Sequence, residues 1–497
     1  MENEKTEAEL KEQIMDLGDE FKAGSNYLGK RHHPALGIRI PEIVLPGIVN
    51  ALQKYRCAAG LMLSFGRETA PEEIISAPTG RYEITLGHTG TSIRKYLSSG
   101  ARAARSAIIP VEMEADHLII TVSSAQAVKR IEGVKSQHLV GAAALDKSLR
   151  YNLQALDEAA TTGAVRAFTT DTSDLFDDAV ERLKANTLLR AFQKAYPIAT
   201  ERQRIVAAYV GKFRFRGADG KPVRLEVSKE RAMKIVLKYR RSLEINARLY
   251  EEIKKRTRHP FAFEISMDET PKPSAPADVF IYLGEWKNMG YPVDYVAPNV
   301  GFKKREDYTD NMDLLKNRVR AMHAIAARYD ALLSFHSGSG VSPLTGKGPG
   351  VYEALLECTG RRLKYKISGI YVELLLNLLA SHKKGTDARI LFELIYDEVM
   401  TFLRAQVEEK GPLYSDVLVR QLEDFDAAKK AMDPFAAVFR YHSFLCLNFR
   451  DLKGRRYYRD RLIRLYSEDL KLRKQVDQEI EYLTGRLIEG LDFKNNF

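Results

Sequence analysis

From about residue 80 to 375 this 497-residue chain alternates strand-like apolar runs with helix-like stretches, the pattern of βα units repeated around a parallel sheet. Strands are predicted at 82–86, 108–113, 165–169, 261–267, 295–300, 332–335 and 365–368, and one more around Leu36-Gly-Ile-Arg-Ile40 brings the count near eight. Between two of them Leu315, Val319, Met322, Ile325 and Tyr329 fall at helical spacing opposite Lys316, Arg320 and Arg328. Such a helix lies on the outside of a sheet. The expected fold is α/β, a (β/α)8 TIM-like barrel whose core occupies 81–385, with 1–80 read as part of the barrel. A helical insertion is expected near 177–258, broken by a turn at Phe215-Arg-Gly-Ala-Asp-Gly-Lys-Pro222, and a helical C-terminal extension at 386–497.

In such folds chemistry collects where strands end, and several ends here carry ligand-capable groups. His336 leaves the apolar run Ala331-Leu-Leu-Ser-Phe and enters Ser337-Gly-Ser-Gly340, a stretch that cannot continue as strand and whose backbone allows close approach of an anionic oxygen. The Gly-Lys-Ser/Thr of a phosphate-cradling loop and the Gly-x-Ser-x-Gly of a hydrolase elbow do not occur there. In Phe261-Ala-Phe-Glu-Ile-Ser-Met-Asp-Glu-Thr270 the two-residue alternation puts Glu264, Ser266 and Asp268 on one face. Carboxylates turned into a barrel need partners, although Asp268 and Glu269 read equally as caps of the next helix. Asp116-His117 also follows an apolar run. If the strand continues, one of the two points outward; if the chain turns, both face the mouth. Lys366, at another strand end, either holds a substrate carboxylate or snorkels to solvent. Imidazole is the usual nitrogen ligand of divalent transition metals, and His117, His336 and a carboxylate match a three-ligand open site.

Composition narrows the alternatives. No apolar run approaches the roughly 18 residues of a membrane span, so no membrane partner is expected. The acidic start Met1-Glu-Asn-Glu-Lys-Thr-Glu lacks a signal-peptide core, which predicts a cytoplasmic protein. Cys57, Cys358 and Cys446 are too scattered for a disulfide framework or zinc ribbon. The net charge of +11 admits a polyanion binder. The basic residues, however, are interspersed with carboxylates along helix-like stretches such as 230–242 and 455–464, which reads as solvated helix faces, and no nucleic-acid partner is expected. Oligomeric state is not legible.

Together, Ala115-Asp-His117, Phe168-Thr-Thr-Asp-Thr-Ser-Asp174, Phe263-Glu-Ile-Ser-Met-Asp-Glu-Thr270, Leu333-Ser-Phe-His-Ser-Gly-Ser339 and Lys366-Ile-Ser-Gly369 resemble, in sequence and order, the tagaturonate epimerase family. The resemblance covers most of 110–375. It implies a metal-dependent isomerase interconverting tagaturonate and fructuronate, with Asp116 as proton acceptor, Glu264 as proton donor and His117 and His336 as metal ligands. Asp268, Ser337 and Lys366 are the expected substrate contacts, and the cation is Zn, Mn, Ni or Co. The third protein ligand lies among Asp268, Glu264 and the distant His442. Two departures leave a neutral ketose, such as tagatose or fructose, or another ketouronate open as substrate: Gly340 stands where the family usually has an acidic residue, and Lys366-Ile-Ser-Gly-Ile370 replaces Lys-Thr-Ala-Gly-Thr.

The inverted carbon, C4, lies one bond beyond the carbon that a C2 ketone acidifies. Direct proton abstraction there is poorly stabilised. The expected mechanism is therefore cleavage of C3–C4 to an enediolate and an aldehyde, followed by re-addition to the other face of the aldehyde. A transient oxidation by nicotinamide would need a Gly-x-Gly-x-x-Gly turn after a strand, which is not found. A metal-dependent aldolase or sugar isomerase would share the enediolate chemistry.

Overall fold

The computed structural model describes residues 24–134 and 140–497. Eight parallel strands close into a barrel: β1 (His33–Gly37), β2 (Ala59–Ser64), β3 (Val111–Ile119), β4 (Val165–Asp171), β5 (Ala262–Met267), β6 (Tyr295–Pro298), β7 (Leu332–Phe335) and β8 (Leu363–Ile367). Each pairs with its neighbours in chain order, and β8 closes on β1 with Lys366 opposite Ala35.

Two strand predictions need correction. Residues 82–86 form turns rather than a strand, because Gly80 and Gly87 at φ 82° and 59° fold the segment back on itself. Its Tyr82 and Leu86 pack on a small cluster with Ala70, Ile74 and Ile75. The missing strand is Ala59-Gly-Leu-Met-Leu-Ser64, buried throughout and so without the alternation that marks a half-exposed strand. Gly60 is required there: a Cβ would sit 1.7 Å from Glu114 Oε1 inside the barrel.

The helix Met312–Arg328 packs outside the sheet on Leu315, Val319, Met322 and Ile325, all fully buried. Arg320 is not in solvent as expected; it pairs at 2.7 Å with Asp219. Asp219 belongs to the turn between Gly211–Arg216 and Pro222–Val227, an antiparallel hairpin within a region expected to be helical. Its alternation of Lys212, Arg214 and Arg216 with Phe213 and Phe215 buries the two aromatics against Phe280. The rest of that region is helix: Ala185–Ala195, Ala199–Tyr209 and Lys229–Arg256. After Thr386 the chain is mainly helical. Helix Leu470–Gly490 lies on Pro41–Tyr55, where Gly47 leaves room for the backbone of Asp477. Arg459, in the basic stretch read as solvated, is buried on Glu42 at 2.9 Å. The segment 437–449 crosses the mouth of the barrel, where Tyr441 donates to the Lys304 carbonyl at 2.5 Å and Arg440 to that of Gly340 at 2.9 Å.

Candidate active site

Asp116 and His117 both reach the interior because β3 carries a bulge. Ala115 pairs with Phe168 and Leu118 with Thr170, leaving Asp116 and His117 together opposite Thr169. His117 adopts φ 48°, unusual for a side-chain-bearing residue, and so both neighbours turn inward where a regular strand would alternate them. The strand neither alternates nor ends here, which was not among the two arrangements expected.

The barrel interior is charged where such barrels usually pack branched apolar side chains. Lys364 donates to Glu114 at 2.7 Å and lies 3.3 Å from Glu264. One turn of the pleat higher, Lys366 donates to Asp116 at 2.6 Å and to Thr169 at 2.7 Å, with Glu264 at 3.1 Å. It is buried and does not snorkel. His336 donates from Nε2 to Glu264 at 2.6 Å and from Nδ1 to Asp268 at 3.0 Å, and Asp268 also accepts from Ser266 at 2.6 Å. The His117 and His336 rings meet edge-on with centroids 5.0 Å apart.

Burial opposes charge on each of these groups, but the neighbours outweigh it. His117, Lys366 and His336 hold the Asp116 carboxyl well below the usual carboxylate range, and Lys366, Lys364 and His336 do the same for Glu264. Asp268 and Glu264 in turn carry the His336 imidazole up to about 9, against burial and Lys366. Between His336 and its two carboxylate partners the proton rests on the imidazole.

Above the imidazoles lies a second tier. Arg130 grips Asp171 at 2.6 Å and Glu269 at 2.9 Å, and Arg67 and Lys304 reach Glu269 at 2.7 and 3.0 Å. Glu269 therefore closes the site with cations rather than merely capping a helix. The mouth opens through an inner chamber of about 120 Å³, which His117, His336, Ser337 and Lys366 line. It adjoins an outer cleft of about 670 Å³ that shares Lys304, Ser337 and Tyr441 with it.

The profile of the tagaturonate epimerase family matches residues 149–407, more than half of the chain. The chain belongs to the tagaturonate epimerase family. It is accordingly a sugar epimerase, an isomerase acting on carbohydrates. The match takes in β4 to β8, with Glu264, Asp268, His336 and Lys366, and begins beyond Asp116-His117. Among solved structures, the native crystal structure of fructuronate-tagaturonate epimerase from Cohnella laeviribosi aligns with TM-score 0.66 and 18% identity, over 97% of this chain and 85% of that one. A glycerol complex of the same protein gives 0.65 and 19%, over 97% and 86%. At these identities the likeness establishes the shared barrel alone. No curated protein sequence matches the chain significantly.

The enzyme thus gathers Asp116, His117, Glu264, Asp268, His336 and Lys366 in one interior cluster, with Ser337 at φ 59° on its rim. His442 is engaged elsewhere, by Glu132 at 2.8 Å and the Val438 carbonyl at 2.9 Å. Gly340 departs from the family pattern for a local reason. A Cβ there would lie 2.1 Å from the Gly346 carbonyl oxygen and 2.2 Å from Asp307 Oδ1, so Asp307 fills the space with an acidic group of its own.

The residues present suit the divalent cation that the family resemblance implies. Asp116, Glu264 and Asp268 set against Lys366 leave two negative charges around two imidazoles, the complement of a dication once His336 gives up its proton. His117 Nδ1 is buried without a hydrogen bond, and it shares a compact group with Asp171 and Glu269 whose ligand atoms lie within 4.8 Å of one another. Arg130 already holds both of those carboxylates, so the His117 imidazole is the freer donor, and His336 becomes one only when Nε2 releases the proton it shares with Glu264.

Sequence reasoning missed Asp171, Glu269 and Arg130 as neighbours of His117. It also missed the lower charges Glu114 and Lys364. For these last the signal was present: acidic residues at 112, 114 and 116 and lysines at 364 and 366 recur at every second position of two buried runs.

Proposed function

We propose that the enzyme inverts C4 of a ketouronate, interconverting tagaturonate and fructuronate, by breaking and re-forming the C3–C4 bond. The observation that carries this reading is the convergence of Asp116 and Glu264, from β3 and β5, on the ammonium of Lys366, with His336 at the end of β7 on Glu264 and the His117 ring edge-on to that of His336. His117 and His336 would hold Zn, Mn, Ni or Co, with neighbouring carboxylates supplying oxygen. When bound, the cation supplies Lewis acidity toward the C2 carbonyl. Asp116, kept ionised by its surroundings, takes the proton of the C4 hydroxyl. Glu264 carries the second proton, which in the structure rests on His336 2.6 Å away, and delivers it to the C4 oxygen after re-addition. Lys366, between the two carboxylates, keeps Asp116 ionised until it accepts and passes the proton taken there back to Glu264, restoring the pair after each turnover. Asp268 acts on His336 from behind: by accepting from Nδ1 it directs Nε2 toward Glu264. The role that this contact supports is positioning, beside the substrate contact expected for it. Ser337 lies on the rim, within reach of a bound sugar.

The test is turnover of fructuronate in deuterated water by metal-loaded enzyme. Bond cleavage predicts tagaturonate with almost no deuterium at C4, whereas stoichiometric label there would refute it. Release of free aldehyde fragments, seen by NMR, would mark an aldolase instead. His336→Ala is expected to lose both bound metal and epimerisation while remaining folded; full activity in that variant would remove the central role given to this imidazole.

A further inference from the structure

Beside the charge network, three residues that line the inner chamber each keep a buried nitrogen with no partner in the protein: Nη1 of Arg39, Nδ1 of His88 and Nη1 of Arg305. Each is fixed from behind. Arg39, just past β1, is tied to Glu68 at 2.5 Å through Nη2 and to Ser368 at 3.2 Å through Nε. Gly369 lies against it, where a Cβ would come within 3.1 Å of the idle Nη1. The His88 ring packs on Phe444, centroids 4.2 Å apart. Arg305 is held at φ 60° with its guanidinium over the Tyr441 ring, 5.3 Å from the centroid.

Compensation is poor. The carboxylate nearest Arg305, Glu373, stands 3.8 Å off and is already taken by Arg440 at 2.6 Å. Arg39 and Arg305 repel one another, and both, with Arg67, act on His88 to keep it neutral after burial has already disfavoured its charge. Buried nitrogens without partners and an under-neutralised guanidinium are costly to leave so, and a site that brings them together calls for an anion.

We propose that Arg39, His88 and Arg305 form a receptor for the C6 carboxylate of the ketouronate. The inference rests on the epimerase reading of the same chamber and extends it to specificity. A planar carboxylate matches guanidinium N–H groups in pairs. The hydroxymethyl group of a neutral ketohexose would leave Nη1 of both arginines unpartnered and the Arg305 charge poorly neutralised, so discrimination arises from donors and charge stranded by the wrong sugar.

Calorimetric binding and kcat/KM are to be measured on the metal-loaded enzyme with fructuronate, fructose and fructose 6-phosphate, for wild type, Arg305→Met and Arg305→Lys. The expected result is a fructuronate-over-fructose ratio that falls about 100-fold in Arg305→Met, mainly through weaker fructuronate binding, and partly returns in Arg305→Lys. Should Arg305→Met fail to fold, Arg39→Lys keeps a charge for Glu68 while removing Nη1, and the same loss of preference is expected. An unmoved ratio, an equal loss for both sugars, or tighter binding of fructose 6-phosphate than of fructuronate would overturn the receptor. Wild type that binds fructuronate in preference to fructose yet turns over neither would leave the receptor standing and sink the epimerase reading. Turnover of fructuronate with an unmoved ratio would do the reverse.

Discussion

At the scale of single residues, His336 owes its orientation to the carboxylate behind it. With Asp268 accepting from Nδ1, the ring, once Nε2 gives up the proton it donates to Glu264, has one tautomer and one nitrogen left for a cation. Asp268→Asn keeps the shape but offers His336 an ambiguous partner. Divalent-metal affinity, followed by competition with a chelating dye, is expected to weaken by about 10- to 100-fold in a folded protein. An unchanged affinity would show that the imidazole is held by packing alone. His117 achieves its inward direction by another device, a left-handed backbone within a bulge. That device is invisible until β3 and β4 are paired, which is why the sequence left open whether Asp116 and His117 share a side. Glu264 and Ser266 were readable from alternation alone because β5 is regular.

At the scale of elements, legibility followed exposure. Most strands bounded by polar turns were recognised to within a few residues, but β3 runs to Ile119, well past the expected end at 113, and β2, buried on both faces and opening with Ala59-Gly60, carried no periodic signal. Residues 82–86 mimicked a strand in composition while flanking glycines committed them to turns. The hairpin at 211–227 was readable from its aromatic alternation but was obscured by the basic helices around it. Helix Met312–Arg328 supplies a measurable consequence. Burial, assisted by Arg362, lowers His323 on this helix to about 4, so it is neutral in the folded enzyme. The unfolded chain binds a proton near the ordinary histidine value of about 6.5. The stability from this group is therefore complete above about pH 6.5 and is lost as pH falls toward 4, at up to about 1.4 kcal/mol per pH unit. His323→Gln is expected to flatten the acid limb by that amount in urea unfolding at pH 4.5, 5.5 and 7. An identical slope in the two proteins would contradict the assignment.

At the scale of the whole molecule, one column of charge runs up the barrel axis. At its foot His33 faces Glu112 at 4.0 Å, and Leu28 of the segment below the barrel donates its backbone N–H to Glu112 at 2.9 Å. Burial, with Glu114 beside it, raises Glu112 to about 8 despite Lys364. Above come Glu114, Lys364, Glu264 and Lys366, and then the imidazoles. Removing one member strands its partner in a dry interior. Lys364→Met is expected to destabilise the fold by about 3–5 kcal/mol in urea unfolding, and Lys364→Met with Glu114→Gln to recover much of that loss. Additive losses in the double variant would show that the two are not coupled.

Because Glu264 touches Lys364 on its lower side and His336 on its upper side, the floor and the reactive end of this barrel are electrically continuous. A redesign that swaps the lower ions for aliphatic side chains to gain heat tolerance would also reset the proton affinity of the groups facing the sugar. Thermal hardening of this scaffold is therefore better sought in its outer helices, where packing can be changed without rewiring the chemistry.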